Sequence, residues 1–415
     1  MKGVRYAVWS RFRAAALVDV GVASTAGGAP QLIDIGVPAG ATSAFATGLS
    51  ADGTTVDGRE GQNSIGAFRW TSATGNVNLG PPPGSLRGFA GGASSDGTVV
   101  VGRGGTPQRA FRWTLAGGMQ LLGLLPGLTA STAATVGGDG SIVVGQSAAA
   151  GIGARAVWWN SAGDAHDLGT SISNSAAFGI SRDGSVNVGL DSPHPFRWTG
   201  AGGVQHIPIP EGFGSGFANS SDEDGSKIAG AFSRSDFSDS RAWVWSPTDG
   251  IRLLPRKHKS EAATIIRANG ALIGGTFRTS TGGPRSTVWH PAFGGMSLND
   301  SLLRLGVDMD GWILGFVAGI SADGVTIAGS GTHNGNQRAW LLMGFTAINL
   351  CPADLNHDWV VEDADFVQFA TDYELLDCAD PAMALWCPAD LDHDGLVDDA
   401  DVVDFGRPYD ELLCE

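Results

Sequence analysis

Two stretches near the C-terminus carry oxygen-bearing residues at the spacing a hard divalent cation requires. Asp354, Asn356, Asp358, the backbone carbonyl of Val360 and Asp365 occupy loop positions one, three, five, seven and twelve. Asp390, Asp392, Asp394, the carbonyl of Leu396 and Asp401 repeat that set 36 residues later. Calcium takes about six to eight oxygens, and a twelve-residue loop delivers them from those positions. Glu362 and Asp398, at position nine, suit a ligand acting through water. The expected chemistry is binding of two Ca2+ ions, with a merely solvated acidic tail as the competing explanation. Gly395 supplies the sharp turn at position six of the second loop, whereas Trp359 stands there in the first. The second site is therefore expected to be the tighter one.

The loops belong to a duplicated cassette. Cys351 to Cys378 and Cys387 to Cys414 align with identity at 16 of 28 positions and contain all four cysteines of the chain. From Cys351 onward there are 19 acids against one base, Arg407, while residues 1–350 carry 23 acids and 25 bases. The formal charge of −16 is thus a property of one small region. After each loop an apolar stripe begins, Phe366, Val367 and Phe369 or Val402, Val403 and Phe405, which reads as a helix face. Without an ion the clustered carboxylates repel, so folding of this region is expected to be linked to calcium.

The rest of the chain must position whatever this region serves. An Asp-Gly or Asn-Gly turn followed by an apolar run ending in Gly recurs at Asp52, Asp96, Asp139, Asp183, Asp224, Asn269 and Asp323, in steps of 44, 43, 44, 41, 45 and 54 residues. Each is followed by an aromatic anchor, as in Ala67-Phe68-Arg69-Trp70 or Arg241-Ala242-Trp243-Val244-Trp245. A period near 44 with several short strands per unit indicates β-propeller blades, each a four-stranded sheet. The 63 glycines suit an all-β fold dense in tight turns. Seven turns and seven anchors predict seven blades over residues 30–346, followed by a small α-helical, two-loop EF-hand-like module over 351–415. Lys2, Arg5, Arg11 and Arg13 ahead of a short apolar stretch make residues 1–29 a candidate secretory signal. The propeller would then start in mid-blade near Leu32 to Gly36, and Arg338 to Met343 would complete that same blade. Sharing of this kind leaves no open edge.

Two resemblances attach to these motifs. The array resembles the extracellular HAF-repeat proteins of bacteria, and the segment from Met296 to Leu303 with Gly311-Trp312 is similar to their atypical last repeat. That family implies an exported propeller and almost nothing about activity. The cassette resembles dockerin type I modules, and its cysteines resemble the GC-type dockerins of planctomycete surface proteins. The resemblance implies attachment to a cohesin-like or other cell-surface protein. The partner-contacting positions would be Asp363-Ala364 and Asp399-Ala400, unlike the hydroxyl-rich pairs of cellulosomal examples. It also favours disulfides Cys351–Cys414 and Cys378–Cys387, with pairing inside each cassette as the alternative.

Inside the array the motifs argue against several chemistries. No G-x-S-x-G, H-E-x-x-H or P-loop occurs, and the three tyrosines lie outside the array. The array histidines share no metal-ligand spacing. Trp70, Trp113, Trp159, Trp198, Trp245 and Trp289 recur in register and are expected to be core. Trp158, Trp243, Trp312 and Trp340 depart from that register and are the candidates to line an open face. Nothing is basic enough for nucleic acid, and no apolar run long enough for a membrane span follows the array. The leading expectation is a secreted or surface display protein whose propeller binds a glycan or protein. The alternative is a carbohydrate-active enzyme, which would need acids and arginines converging on the central channel.

Overall fold

The computed structural model describes residues 30–61, 66–171, 174–236, 238–255, 260–278, 283–290 and 294–345 of the array, and residues 355, 363–375, 389, 391, 396–399, 401–403 and 405 toward the C-terminus. These fall into two compact units, one of Pro30–Trp289 and Gly295–Thr346 and one containing Ala347–Glu415. The candidate signal, residues 1–29, lies outside the described residues.

The first unit consists of seven four-stranded antiparallel sheets. Blade 1 runs from its innermost strand Ala44–Leu49 through Thr55–Glu60 and Ala67–Thr71 to Gly75–Gly80 at the rim. Blades 2 to 6 repeat this order from innermost strands Gly88–Ala93, Ala130–Val136, Ser175–Ile180, Ser215–Ser221 and Ala262–Arg267. Blade 7 takes Trp312–Ile320, Ile327–His333 and Asn336–Met343 from the C-terminal end of the array. Its outermost strand is Gln31–Asp34, paired antiparallel from Gln31 opposite Met343 to Asp34 opposite Trp340. The expected shared blade is present. A short helix α1, Leu298–Arg304, lies between blades 6 and 7 and accounts for the one long repeat step. Asn299 fastens it by exchanging two 3.0 Å hydrogen bonds with the backbone of Leu314.

Each Asp-Gly motif is a turn closed by its own side chains. Ser50 Oγ donates to Asp52 Oδ1 at 2.5 Å and accepts from the Thr55 amide, while Asp52 Oδ1 also accepts from the Thr54 amide. Gly53 follows at φ +72°, where an L side chain is strained. In blades 2 to 5 the residues before the Asp link blade to blade: Ser95 N–H donates to Gly138 O, Gly138 to Arg182 and Arg182 to Glu223, at 2.7–2.9 Å.

The glycine that ends each apolar run has a separate cause. Gly58, Gly102, Gly189 and Gly230 stand directly opposite Phe68, Phe111, Phe196 and Trp243 on the next strand. A Cβ on Gly58 would meet Phe68 Cζ at 2.5 Å, and one on Gly230 would meet Trp243 Cζ2 at 2.7 Å. The ring lies flat over a bare backbone, which only glycine leaves open. These rings form the inter-blade core: Val56, Phe68 and Trp70 of blade 1 pack on Ala328, Ala339 and Leu341 of blade 7. Trp243, Trp312 and Trp340 are also buried, so their candidacy to line an open face is corrected. For Trp243 and Trp340 the departure from the motif register reflects Trp taking the place of Phe over the glycine in blades 5 and 7, whereas Trp312 stacks on its cross-strand partner His333 with ring centroids 4.6 Å apart.

In the second unit, helix α2 spans Asp363–Leu375. Its buried Phe369 stacks on Phe405, the equivalent residue of the second cassette, with ring centroids 4.5 Å apart. Leu355, Ala389 and Val397 complete this core, so the duplicated halves share one apolar centre. Tyr373 Oη donates across it to Asp399 Oδ1 at 2.6 Å. No helix among the described residues is long and apolar enough to cross a membrane.

Candidate functional site

The seven innermost strands line a central channel of about 170 Å³. Every one of them carries a β-bulge at the same register point, where one extra residue breaks the ladder to the second strand. The bulged residues are Thr47, Gly91, Ala134, Phe178, Asn219, Thr264 and Ala318, and all seven line the channel. A bulge re-aims the side chain it carries, so the repeat has a built-in position for channel-facing residues.

The channel wall is asymmetric. Blades 1 to 3 contribute Thr47, Gly91, Gly92, Ala134 and Gly138, which are small. Blades 4 to 6 contribute Phe178, Asn219 and the charged residues Arg182, Asp222, Glu223 and Arg267. Asp222 and Arg267 stand where other blades place the turn serine. Asp222 does that serine's work, accepting from the Lys227 amide at 3.0 Å and from Ser226 Oγ at 3.1 Å. Its burial raises its pKa, and these hydrogen bonds oppose the rise. Arg267 Nη1 donates to Ser221 O, Ile266 O and Ser220 Oγ at 2.8, 2.7 and 3.2 Å. Burial pulls its pKa down, and the charges of Glu223 and Asp222 push the other way. Glu223 Oε2 accepts from the Asn269 amide at 3.0 Å, whereas its Oε1 is buried without a hydrogen-bond partner. Among the described residues no histidine, cysteine or tyrosine lines the channel. The described array histidines stay out of it: His206 pairs with Asp191 at 2.8 Å and His333 with Asp34 at 2.9 Å.

Next to the channel, Thr47 Oγ1 donates to Asp57 Oδ2 at 2.9 Å. Asp57 is fully buried and its Oδ1 has no hydrogen-bond partner. Burial pushes its carboxyl up to about 6, against the opposing hydrogen bond from Thr47. Neither Asp57 nor the arc on blades 4 to 6 stands out by residue type. The available signal is departure from the repeat: Asp57 replaces Val101, Val144 and Val188, and Arg267 replaces Ser50, Ser94 and Ser181.

Of the expected calcium ligands, Asp365, Leu396 and Asp401 are among the described residues. Asp354, Asn356, Asp358, Val360, Asp390, Asp392 and Asp394 lie outside them, as do Cys351, Cys378, Cys387 and Cys414. Among the described residues no group of three or more His, Cys, Asp or Glu is placed to hold a metal. Both position-twelve carboxylates, Asp365 and Asp401, are buried. Asp401 draws its loop inward, its Oδ1 accepting from the Leu391 amide at 2.5 Å and its Oδ2 from the Asp398 amide at 2.9 Å. Leu396 is exposed.

No protein-family model and no curated protein sequence matches the chain. Solved structures are similar to its fold. An oligogalacturonate lyase in complex with manganese shares 13% identity over 76% of this chain and 94% of its own, with a TM-score of 0.53. The oligogalacturonate lyase of Vibrio parahaemolyticus shares 12% over 75% and 93%, with a TM-score of 0.52. At such identities the likeness defines the architecture alone. The protein is a seven-bladed β-propeller with a separate C-terminal unit.

Proposed function

We propose that this is an exported surface or matrix protein of the HAF-repeat kind, whose propeller binds a ligand and whose dockerin-like C-terminal module attaches it through two calcium loops. The observation that supports the module most directly is the pair Asp365 and Asp401, both buried in the unit whose apolar core holds the Phe369–Phe405 stack. A buried carboxylate needs a compensating charge or hydrogen bonds, and an all-oxygen donor set suits a hard cation. The first ion would be held by Asp354, Asn356, Asp358, the Val360 carbonyl and Asp365. The second would be held by Asp390, Asp392, Asp394, the Leu396 carbonyl and Asp401. Bound calcium supplies positive charge that offsets the clustered acids. The protein's own part is to present the loop oxygens from a shared apolar centre and to seat a cohesin-like or other surface partner.

For the propeller, binding is favoured over glycoside hydrolysis. Hydrolysis by paired carboxylates needs two of them flanking one bond. In the channel Asp222 is taken up by its turn, leaving Glu223 Oε1 as the uncommitted acid oxygen among the described residues.

Calorimetry with and without EDTA tests the module. A second melting transition is expected to move down by more than about 10 °C on chelation, as loss of a folding-linked ion requires. Calcium titration of Asp401→Asn should lose one of two binding events. A melting profile indifferent to EDTA would overturn the calcium reading.

A further inference from the structure

We infer that the propeller end remote from the Asp-Gly turns carries a site for an acidic polysaccharide, formed by Arg59 over Phe45 in blade 1, Arg103 over Phe89 in blade 2, and Phe316 of blade 7. The inference rests on reading the propeller as a binding domain and places a ligand class at a position other than the channel.

Phe45 and Arg59 are direct cross-strand partners, as are Phe89 and Arg103. The Arg59 guanidinium carbon stands 4.1 Å from the Phe45 ring centroid, and that of Arg103 5.6 Å from the Phe89 centroid. The same pair of positions holds Thr132 and Gln146, Ala176 and Leu190, Phe217 and Ala231, Ala262 and Thr276, and Phe316 and Ser330 in blades 3 to 7. The fold therefore does not require Phe with Arg here, yet two successive blades have it. Blade 7, on the other side of blade 1, repeats the phenylalanine, which is 45% exposed.

The two guanidiniums repel. Burial, and then the charge of Arg103, hold Arg59 below the ordinary guanidinium range. Among the described residues no carboxylate lies within ion-pair distance of either. Like charges on adjacent blades without a counter-ion cost stability, and stacking returns only about 0.5–1 kcal/mol at an accessible ring. Stacking does fix each guanidinium plane and leaves its N–H edge free for the paired oxygens of a carboxylate or sulfate. Two such edges on adjacent blades match anions repeated along a polymer, and the Phe316 ring offers flat apolar surface to a sugar face.

The experiment is affinity electrophoresis of the full chain, with calcium present, through gels containing alginate, neutral dextran or single-stranded DNA. Alginate is expected to retard the protein, with dextran inert and DNA at least tenfold weaker. Arg59→Gln/Arg103→Gln should weaken alginate binding at least tenfold, and Phe316→Ala about threefold with both charges kept. Arg267→Gln, in the channel, should bind as wild type. If the double variant is unstable, Arg59→Lys/Arg103→Lys replaces it: charge is kept, the bidentate edge is lost, and at least fivefold weakening is expected. Equal binding of DNA and alginate would overturn the polysaccharide class. Alginate binding abolished by Arg267→Gln but kept in the arginine-pair variants would overturn this site while leaving the propeller a binding domain. Absence of alginate binding altogether would overturn the inference and leave the calcium module untouched.

Discussion

Asp57 shows what a single departure from the repeat does. Aliphatic residues fill its position in blades 2 to 4, and it brings one unsatisfied oxygen into an inter-blade core. Its pKa is pushed up to about 6 by burial, from an ordinary 3.8. Below about pH 3 the group is protonated whether the chain is folded or not, and ionisation adds nothing to the cost of burying the neutral acid. As pH rises from 4 toward 6 the unfolded chain loses this proton while the folded one keeps it, so stability falls. Above 6 the loss levels off at about 3 kcal/mol on the linkage scale of 1.36 kcal/mol per pH unit. The stability advantage of Asp57→Val over wild type should therefore grow by roughly 2–3 kcal/mol between pH 3 and pH 7. Urea denaturation of both proteins across that range checks this, and a difference that does not change with pH would refute it.

At the scale of the strand, the governing device is a bare glycine beneath an aromatic ring. The Asp-Gly turn sets where a strand reverses, and the glycine five or six residues on sets where the next ring lies. Gly230→Ala would drive a methyl into Trp243 and the Phe217 carbonyl. Overpacking of a close-packed core costs about 1–3 kcal/mol, and here backbone forms one side of the clash, so the upper end is expected. Gly151→Ala is the control for conformation alone, because its φ is +76° but open space surrounds it. It should cost about 1 kcal/mol, the usual penalty of a left-handed residue. Thermal melts of the pair separate packing from backbone strain, and equal costs would sink the ring-over-glycine account.

For the whole propeller, the decisive element is the strand Gln31–Asp34, which closes blade 7 from the opposite end of the array. Asp34 adds a side-chain tie, its Oδ2 lying 2.9 Å from His333 Nδ1 and 3.9 Å from Arg338 Nε. Removing this strand would expose the edge of Asn336–Met343, an unpaired template for other chains. Deleting residues 30–35 should lower the melting temperature on the order of 10 °C and produce concentration-dependent association in light scattering. A deletion that melts like wild type and stays monomeric would mean the ring does not depend on this closure.

Blade number, turn positions and shared closure were legible in the sequence because each rests on local chemistry. Asp-Gly reverses a chain wherever it stands, aromatic anchors recur at a fixed distance from it, and equal numbers of both leave one blade to be shared. The expectation of calcium loops in the cassette likewise rests on ligand spacing within one short segment, and most of those ligands lie outside the described residues. Tertiary structure decided what depends on neighbours distant in the chain. The bulges that aim Thr47, Phe178 and Asn219 into the channel arise from mismatch between two strands and leave no mark in either alone. The burial of Trp243 and Trp340 follows from a glycine on the adjacent strand. The placing of Arg59 over Phe45 and of Arg103 over Phe89 likewise depends on pairing between neighbouring strands. Local signals wrote the scaffold, and packing between blades chose which side chains it presents.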